Sequence, residues 1–346
     1  MNVTQPDLSV PQHSLAIQRL TALWAFAESG LGGVLHAFQI PFTGLVIGGF
    51  AVIIITLIAK FSDHHYQQIL KSFLIVLIVK AMVSPHTPVP AYLAISFQAI
   101  MGYGLFSLFK VNFLSIFLLS ILAMMESAIQ KLLILTFFFG QSLWKAADGL
   151  ADFITQQLGL QQWNGSYWLI VLYLLIYFIG GIATTWIAYK TIRQLSFTPE
   201  LPEISLLVIN DANENNKTSK TKIWAGILLM LIISALLFFF SPENSSGWIA
   251  VIKTISWTIS AILIWYLILA PLLTRFIINL LKKKESRYQK EVTETMSVFP
   301  YIKKLSILAW QQSRKYRGLK RITLFLSLLL HWALTYSDIA FHNKTT

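Results

Sequence analysis

Phe42 to Lys60 reads FTGLVIGGFAVIIITLIAK, and no charged residue appears in it before the closing lysine. A helix needs about 20 predominantly apolar residues to cross a hydrocarbon core, so this one stretch already points to a bilayer as solvent. Comparable apolar blocks recur on both sides. The reading outward from Phe42 gives spans near 16–38, 42–60, 67–84, 90–109, 113–139, 166–189, 223–241 and 247–270. The expected fold is therefore an all-α polytopic membrane helix bundle of about eight transmembrane helices, a six-helix bundle plus two, with a basic amphipathic C-terminal region.

Composition agrees. Of 346 residues, 55% are hydrophobic and 12% charged, about half the charge of an ordinary soluble domain. Cysteine is absent, which excludes disulfide frameworks, thiolate metal sites and cysteine nucleophiles. Residues 1–15 form a polar N-terminus with Pro6 and Pro11 and no cleavable-signal pattern, so the first hydrophobic segment is expected to stay as a helix. The net charge of +12 is judged by its placement. With the N-terminus in the cytoplasm, every Lys and Arg lies at or beside the inner face except Lys80, Lys131, Lys145, Lys253 and Lys344. Positive loops stay inside, and the sequence is read as a multi-pass protein of a bacterial inner membrane, with membrane lipids and no nucleic acid as partner.

Composition also divides the chain. Residues 16–190 make the six-helix membrane bundle, 191–222 a polar cytoplasmic linker with a run of Asn, Asp and Glu, 223–270 a two-helix hairpin, and 271–346 the basic region. The Lys and Arg clusters after Pro271 suit a solvated face or lipid headgroups, or docking onto a partner. The apolar 322–335 is short for a span and is expected to lie at the interface. Gln141 to Gln162 is amphipathic, with Leu143, Trp144, Ala147, Leu150, Ala151 and Ile154 on one face and Lys145, Asp148 and Asp152 on the other. It fits a helix at the outer surface, a lid or a plain connector.

Ionisable side chains at membrane depth are costly unless they face a partner or cavity, so each is a candidate. Glu28 and His36 flank Gly30, Gly32 and Gly33, where the first span is expected to bend. The segment Ser84 to Tyr92 holds Pro85, Pro88 and Pro90 and carries His86; it is stiff and extended. Lys80, Gln98 and Glu126, followed by Gln130 and Lys131, complete the buried polar set. A pair such as Lys80 with Glu126 is expected to neutralise two charges. The candidate substrate-binding residues are Glu28, His36, Lys80, His86, Gln98 and Glu126, and structural pairing or snorkelling is the alternative for each.

Enzymatic function is not expected, and no cofactor is implied. The chain has no phosphate-binding loop of the G-x-x-x-x-G-K-[ST] type and no H-E-x-x-H. Asp63-His64-His65 lies in a short turn and is a weak metal candidate.

The opening AIQRLTALWAFAESGLGGVLHAFQIPFTGLVIGGFAVIIITLIAKF, with its midway glutamate, proline-glycine loop and glycine-starting second span, is followed by a basic third span and ESAIQKLLILTFFFGQSLWKA. Residues 16–190 in this order resemble the substrate-binding membrane subunits of energy-coupling-factor transporters. The resemblance implies six helices with the ligand near the outer face, under the loop after helix one, and an ATPase or coupling subunit as partner. The small-residue face of helix one, here Thr21, Ala22, Ala25 and Ala27, departs from the family's alanine spacing for docking that subunit. The expected function is a transporter component that captures a small substrate (vitamin, precursor or metal ion) from outside. The other class is a membrane scaffold or assembly factor that recruits a cytoplasmic partner through the basic C-terminal region.

Overall fold

A computed structural model describes residues 11–31, 42–84, 87–157, 164–194 and 247–335. Among them the chain is all-helical, with no strand. The helices are α1 (Pro11–Phe26), α2 (Thr43–Phe61), α3 (Gln67–Val83), α4 (Val89–Phe109), α5 (Phe113–Gln157), α6 (Gly165–Gln194), α7 (Gly247–Leu263), α8 (Ala270–Ser297), α9 (Phe299–Gln312) and α10 (Gly318–Thr335). Two π-helical turns, Ala27–Leu31 and Ile264–Leu269, extend α1 and join α7 to α8. The segment expected near 223–241 lies outside the described residues.

Four helices, α2, α4, α5 and α6, are long and apolar enough to cross a membrane. Their outer faces carry the signature of lipid contact. On α6, Trp168, Leu172, Leu175, Ile179, Ile182 and Trp186 are all exposed and recur at helical spacing. At 1.5 Å per residue the two tryptophans stand about 27 Å apart, close to a hydrocarbon thickness, and tryptophan favours both interfaces. Lys190 lies over the Trp186 ring at 4.8 Å and Arg193 over Tyr189 at 4.9 Å, so the far end of that stripe is basic and aromatic together.

Local chemistry sets the ends of these helices. Between α4 and α5, the Asn112 side chain accepts from Ser115 N at 2.9 Å while Ser115 Oγ accepts from Asn112 N at 3.1 Å, a reciprocal cap that satisfies two otherwise unpaired donors. Inside α5, Gly140 adopts φ 63° and ψ −155°, a conformation open to glycine. It divides the apolar stretch from the amphipathic one at the point where hydropathy changes. Pro271 follows the second π turn; lacking an N–H it cannot donate back along the helix, and the chain stays helical through it into α8.

The described residues fall into two compact units. The first takes in the described parts of Met1–Ser127, Tyr177–Leu207 and Arg275–Thr346. At its centre is α1, whose Leu20, Ala22, Leu23, Trp24 and Ala25 are all buried. Helices α2, α3, α9 and α10 pack around it. Thr21 Oγ1 donates to Ser72 Oγ on α3 at 2.7 Å, Phe26 meets Phe299 of α9 edge-on, and Arg19 donates to the Leu334 carbonyl near the end of α10 at 2.7 Å. Gln18 and Lys71 reach Glu294 and Glu291 of α8 at 2.8 and 3.1 Å. In the second unit, the amphipathic half of α5 meets the start of α6 so tightly that a methyl group on Gly165 would collide with Ala151. There Asp148 accepts from Ser166 N at 2.7 Å, placing a carboxylate at a helix N-terminus where the dipole favours it.

Candidate functional site

Two polar clusters are buried between helices of the first unit. The first begins with the π turn. Widening a helix to i→i+5 bonding frees backbone carbonyls, and in an apolar setting each needs a donor. Lys80, in the last turn of α3, supplies it: Nζ donates to the Glu28 carbonyl at 2.8 Å and to Glu28 Oε2 at 2.9 Å. Ser84 Oγ donates to the Ser29 carbonyl at 3.0 Å, and Ser29 Oγ donates back to Ala25 O. Glu28 and Lys80 are only 6% and 4% exposed at the side chain. The expected pairing of Lys80 with Glu126 does not form; the helix packing brings α3 against α1, and the ammonium meets the glutamate that also exposes a free carbonyl.

The second cluster is built on glycine. Gly44, Gly48 and Gly49 occupy one side of α2, spaced at i, i+4 and i+5, and with no side chain there α4, α5 and α6 approach closely. A methyl group placed on Gly48 would lie 3.2 Å from Gln98 Nε2 of α4, 3.6 Å from Met124 Cε and 3.9 Å from Ser127 Oγ of α5. One on Gly44 would lie 3.6 Å from Ser127 Oγ and 3.7 Å from the Tyr177 hydroxyl of α6, and one on Gly49 would lie 3.0 Å from Thr184 Oγ1. Three helices, α4, α5 and α6, thus bring polar groups to the glycines of α2.

Two acceptors on these helices lack a donor. Gln98 is 3% exposed, yet its Oε1 is buried with no hydrogen-bond partner. Glu126 is half-buried and hydrogen-bonded to Ser127, but its Oε2 is buried and also without a partner. Among the described residues no Lys or Arg forms an ion pair with Glu126. An unmet buried acceptor costs about 1–3 kcal/mol, more for a charged one, and such groups call for an explanation. The contrast with Glu28, whose carboxylate and carbonyl both have a donor, separates a self-contained clamp from an incomplete site.

Of the six residues expected from sequence, Glu28 and Lys80 are joined in the clamp, Gln98 stands at the glycine face, Glu126 lies on α5 beside Ser127, which does, and His36 and His86 lie outside the described residues. Lys131 is exposed. In the Asp63-His64-His65 turn, His64 Nδ1 is hydrogen-bonded to the Tyr66 hydroxyl at 2.9 Å. Sequence reasoning missed Ser84, Ser127, Tyr177 and Thr184. Ser127 adjoins Glu126, and the Gly44, Gly48, Gly49 spacing was the available signal that a neighbouring helix must come close.

A chain whose described residues form helices and no strand, with several helices able to cross a bilayer and polar side chains gathered between them, is a membrane protein. No protein-family model matches the chain, and no curated protein or solved structure is significantly similar to it.

Proposed function

We propose that this chain is an integral membrane transporter component that captures a small substrate, such as a vitamin, a precursor or a metal ion, from the outer side of a bacterial inner membrane for uptake. The observation that carries this reading is a pair of buried acceptors without a hydrogen-bond partner, Gln98 Oε1 and Glu126 Oε2, on α4 and α5, two helices whose side chains meet the glycines of α2. In the arrangement with the N-terminus cytoplasmic and about eight spans, Gly44 and Gly48 lie in the outer half of the bilayer, and Gln98, Glu126 and Tyr177 stand near the middle of the spans 90–109, 113–139 and 166–189. A substrate arriving from outside meets the glycine end of this region first. Release toward the cytoplasm then calls on an energy source outside this chain, an ATPase with or without a coupling subunit.

Thermal unfolding of the detergent-purified protein against vitamins, precursors and divalent metals tests the reading. A ligand at 100 times its dissociation constant stabilises by about 2.7 kcal/mol. A shift that Gln98→Leu and Glu126→Gln abolish supports capture; a ligand that stabilises the wild type and both variants equally sinks this site.

A second reading, a scaffold or assembly factor, draws on the Glu28–Lys80 clamp, where buried charges serve packing alone. It calls for a cytoplasmic partner on the basic C-terminal helices, and for Gln98 and Glu126 substitutions without phenotype.

A further inference from the structure

The C-terminal helices carry charge of one sign. From Thr295 to Ser337 the sequence holds no Asp or Glu, while Arg314, Lys315, Arg317, Lys320 and Arg321 all fall at or beside the turn between α9 and α10. The first four are exposed. Trp310, Tyr316 and Ile322 stand exposed around the same turn. Cations mixed with exposed Trp and Tyr suit a layer of anionic lipid headgroups, where amphipathic rings sit at headgroup level.

Arg321 gives this patch a defined centre. Its guanidinium stacks on the Trp310 ring at 4.0 Å, and Phe325 meets that ring edge-on at 5.6 Å. Stacking occupies a face of the guanidinium and leaves its N–H edge for an acceptor. Among the described residues none supplies one: Nε is buried without a hydrogen-bond partner, and no carboxylate forms an ion pair with Arg321. A fork of donors held on an aromatic platform matches phosphate oxygens, which it takes two at a time.

Contacts within the first unit set the level of these helices. Lys60 at the end of α2 donates to the Ile192 carbonyl of α6 at 3.1 Å, beside Lys190 and Arg193, where the exposed apolar stripe of α6 gives way to cations. α3 begins a few residues after α2 ends, and its Lys71 holds Glu291 of α8. Next to Lys71, Ser72 bonds Thr21 of α1, two residues from the Arg19 that holds Leu334 of α10. So α8 and the end of α10 join the bundle at its basic end, the level of a headgroup layer.

We propose that the turn between α9 and α10 binds the phosphate of an anionic phospholipid headgroup. Arg321 on Trp310 is the bidentate donor, and Arg314, Lys315, Arg317 and Lys320 draw the negative surface toward it. The proposal does not rest on the capture reading.

The test uses the full chain at low salt in micelles of a neutral detergent with phosphatidylcholine as background lipid. Thermal unfolding is followed while phosphatidylglycerol, further phosphatidylcholine or soluble glycerol phosphate is titrated. The expected result is a saturable rise in melting temperature with phosphatidylglycerol alone. Arg321→Gln is expected to raise the half-saturating amount about tenfold, as loss of a charged hydrogen-bond donor should. Arg321→Lys should restore little of it, because an ammonium lacks the fork. Arg287→Gln deletes the same charge from an exposed position on α8 and should stay within about twofold of wild type. Should Arg321→Gln fail to fold, the exposed pair Arg314→Gln with Arg317→Gln replaces it and should also weaken the response. Equal losses in Arg287→Gln and Arg321→Gln overturn the defined site in favour of diffuse charge. A matching rise with glycerol phosphate makes free phosphate the ligand and overturns the lipid assignment. An equal rise with phosphatidylcholine, or no rise with any probe, overturns it too and leaves the turn to a protein partner.

Discussion

Replacing Lys80 by Met keeps the length and apolar stem of the side chain and deletes the ammonium. In the folded protein this leaves the Glu28 carboxylate, only 6% exposed, without its ion-pair partner, and leaves the Glu28 carbonyl in the π turn without its 2.8 Å donor. Removing one partner of a buried pair costs about 3–5 kcal/mol, because the other charge stays buried and uncompensated. The double variant Glu28→Leu with Lys80→Met removes both charges and should lose much less. What remains unmet is the carbonyl, worth about 1–3 kcal/mol. Unfolding in mixed micelles by titration with sodium dodecyl sulfate, followed by far-ultraviolet circular dichroism, measures the three proteins on one scale. The expected order is wild type, double variant, then Lys80→Met. A single variant within about 1 kcal/mol of wild type, or a double variant no better than the single, refutes the clamp.

Other outcomes follow from the packing. Gly102→Ala puts a methyl 2.6 Å from Ile55 Cγ2 in the core, and overpacking of this kind costs about 1–3 kcal/mol in the same unfolding assay. Asn112→Ala removes the cap between α4 and α5 and should cost about 0.5–2 kcal/mol, with Asn112→Asp retaining most of it. The Glu291 carboxyl on α8 is held below its ordinary 4.5 by a hydrogen bond from its own backbone and then by Lys71, against some opposing desolvation. A depressed folded-state value adds stability that is fully present above 4.5 and lost as pH falls through the folded value. The pair is partly exposed, so the effect is at most about 1 kcal/mol: the stability gap between wild type and Glu291→Gln should close on acidification from pH 6 to pH 3, and a gap that widens contradicts the assignment.

Hydropathy made the helices legible in the sequence, since burial in lipid imposes a length and a composition on each span whatever its neighbours. The division of α5 at Gly140 was readable for the same reason, because an apolar run gives way to an amphipathic one there. Partner choice was not. Lys80 had two glutamates available, Glu28 and Glu126, and nothing in spacing or composition chooses between residues on different helices. The choice was made by the packing of α3 on α1 and by the π turn, which gave Glu28 a carbonyl as well as a carboxylate to offer. Ser127 and Tyr177 were invisible for a related reason: a hydroxyl beside a glycine face acquires meaning only when the opposing helix is in place.

The burial of α1 bears on how capture would be coupled to energy. Thr21, Ala22, Ala25 and Ala27, the small residues on which a coupling subunit would have to sit by resemblance, are each at most 3% exposed within this chain alone. The Thr21 side is closed by Ser72 of α3, while Arg19 and Phe26 are engaged by α10 and α9. α1 is enclosed by α2 and α3 as well as by α9 and α10, so a partner docking on it has to displace packed helices, and leaving the C-terminal ones costs the Arg19–Leu334, Gln18–Glu294 and Phe26–Phe299 contacts together. A partner that docks without such displacement meets other surfaces, and Arg314, Lys315 and Arg317 between α9 and α10 are exposed and basic. Crosslinking from a cysteine introduced at Arg317 in this cysteine-free chain separates the two routes: capture of a partner there with α9 and α10 still protected from hydrogen exchange supports docking on the basic turn, whereas loss of that protection on binding means that α1 is uncovered.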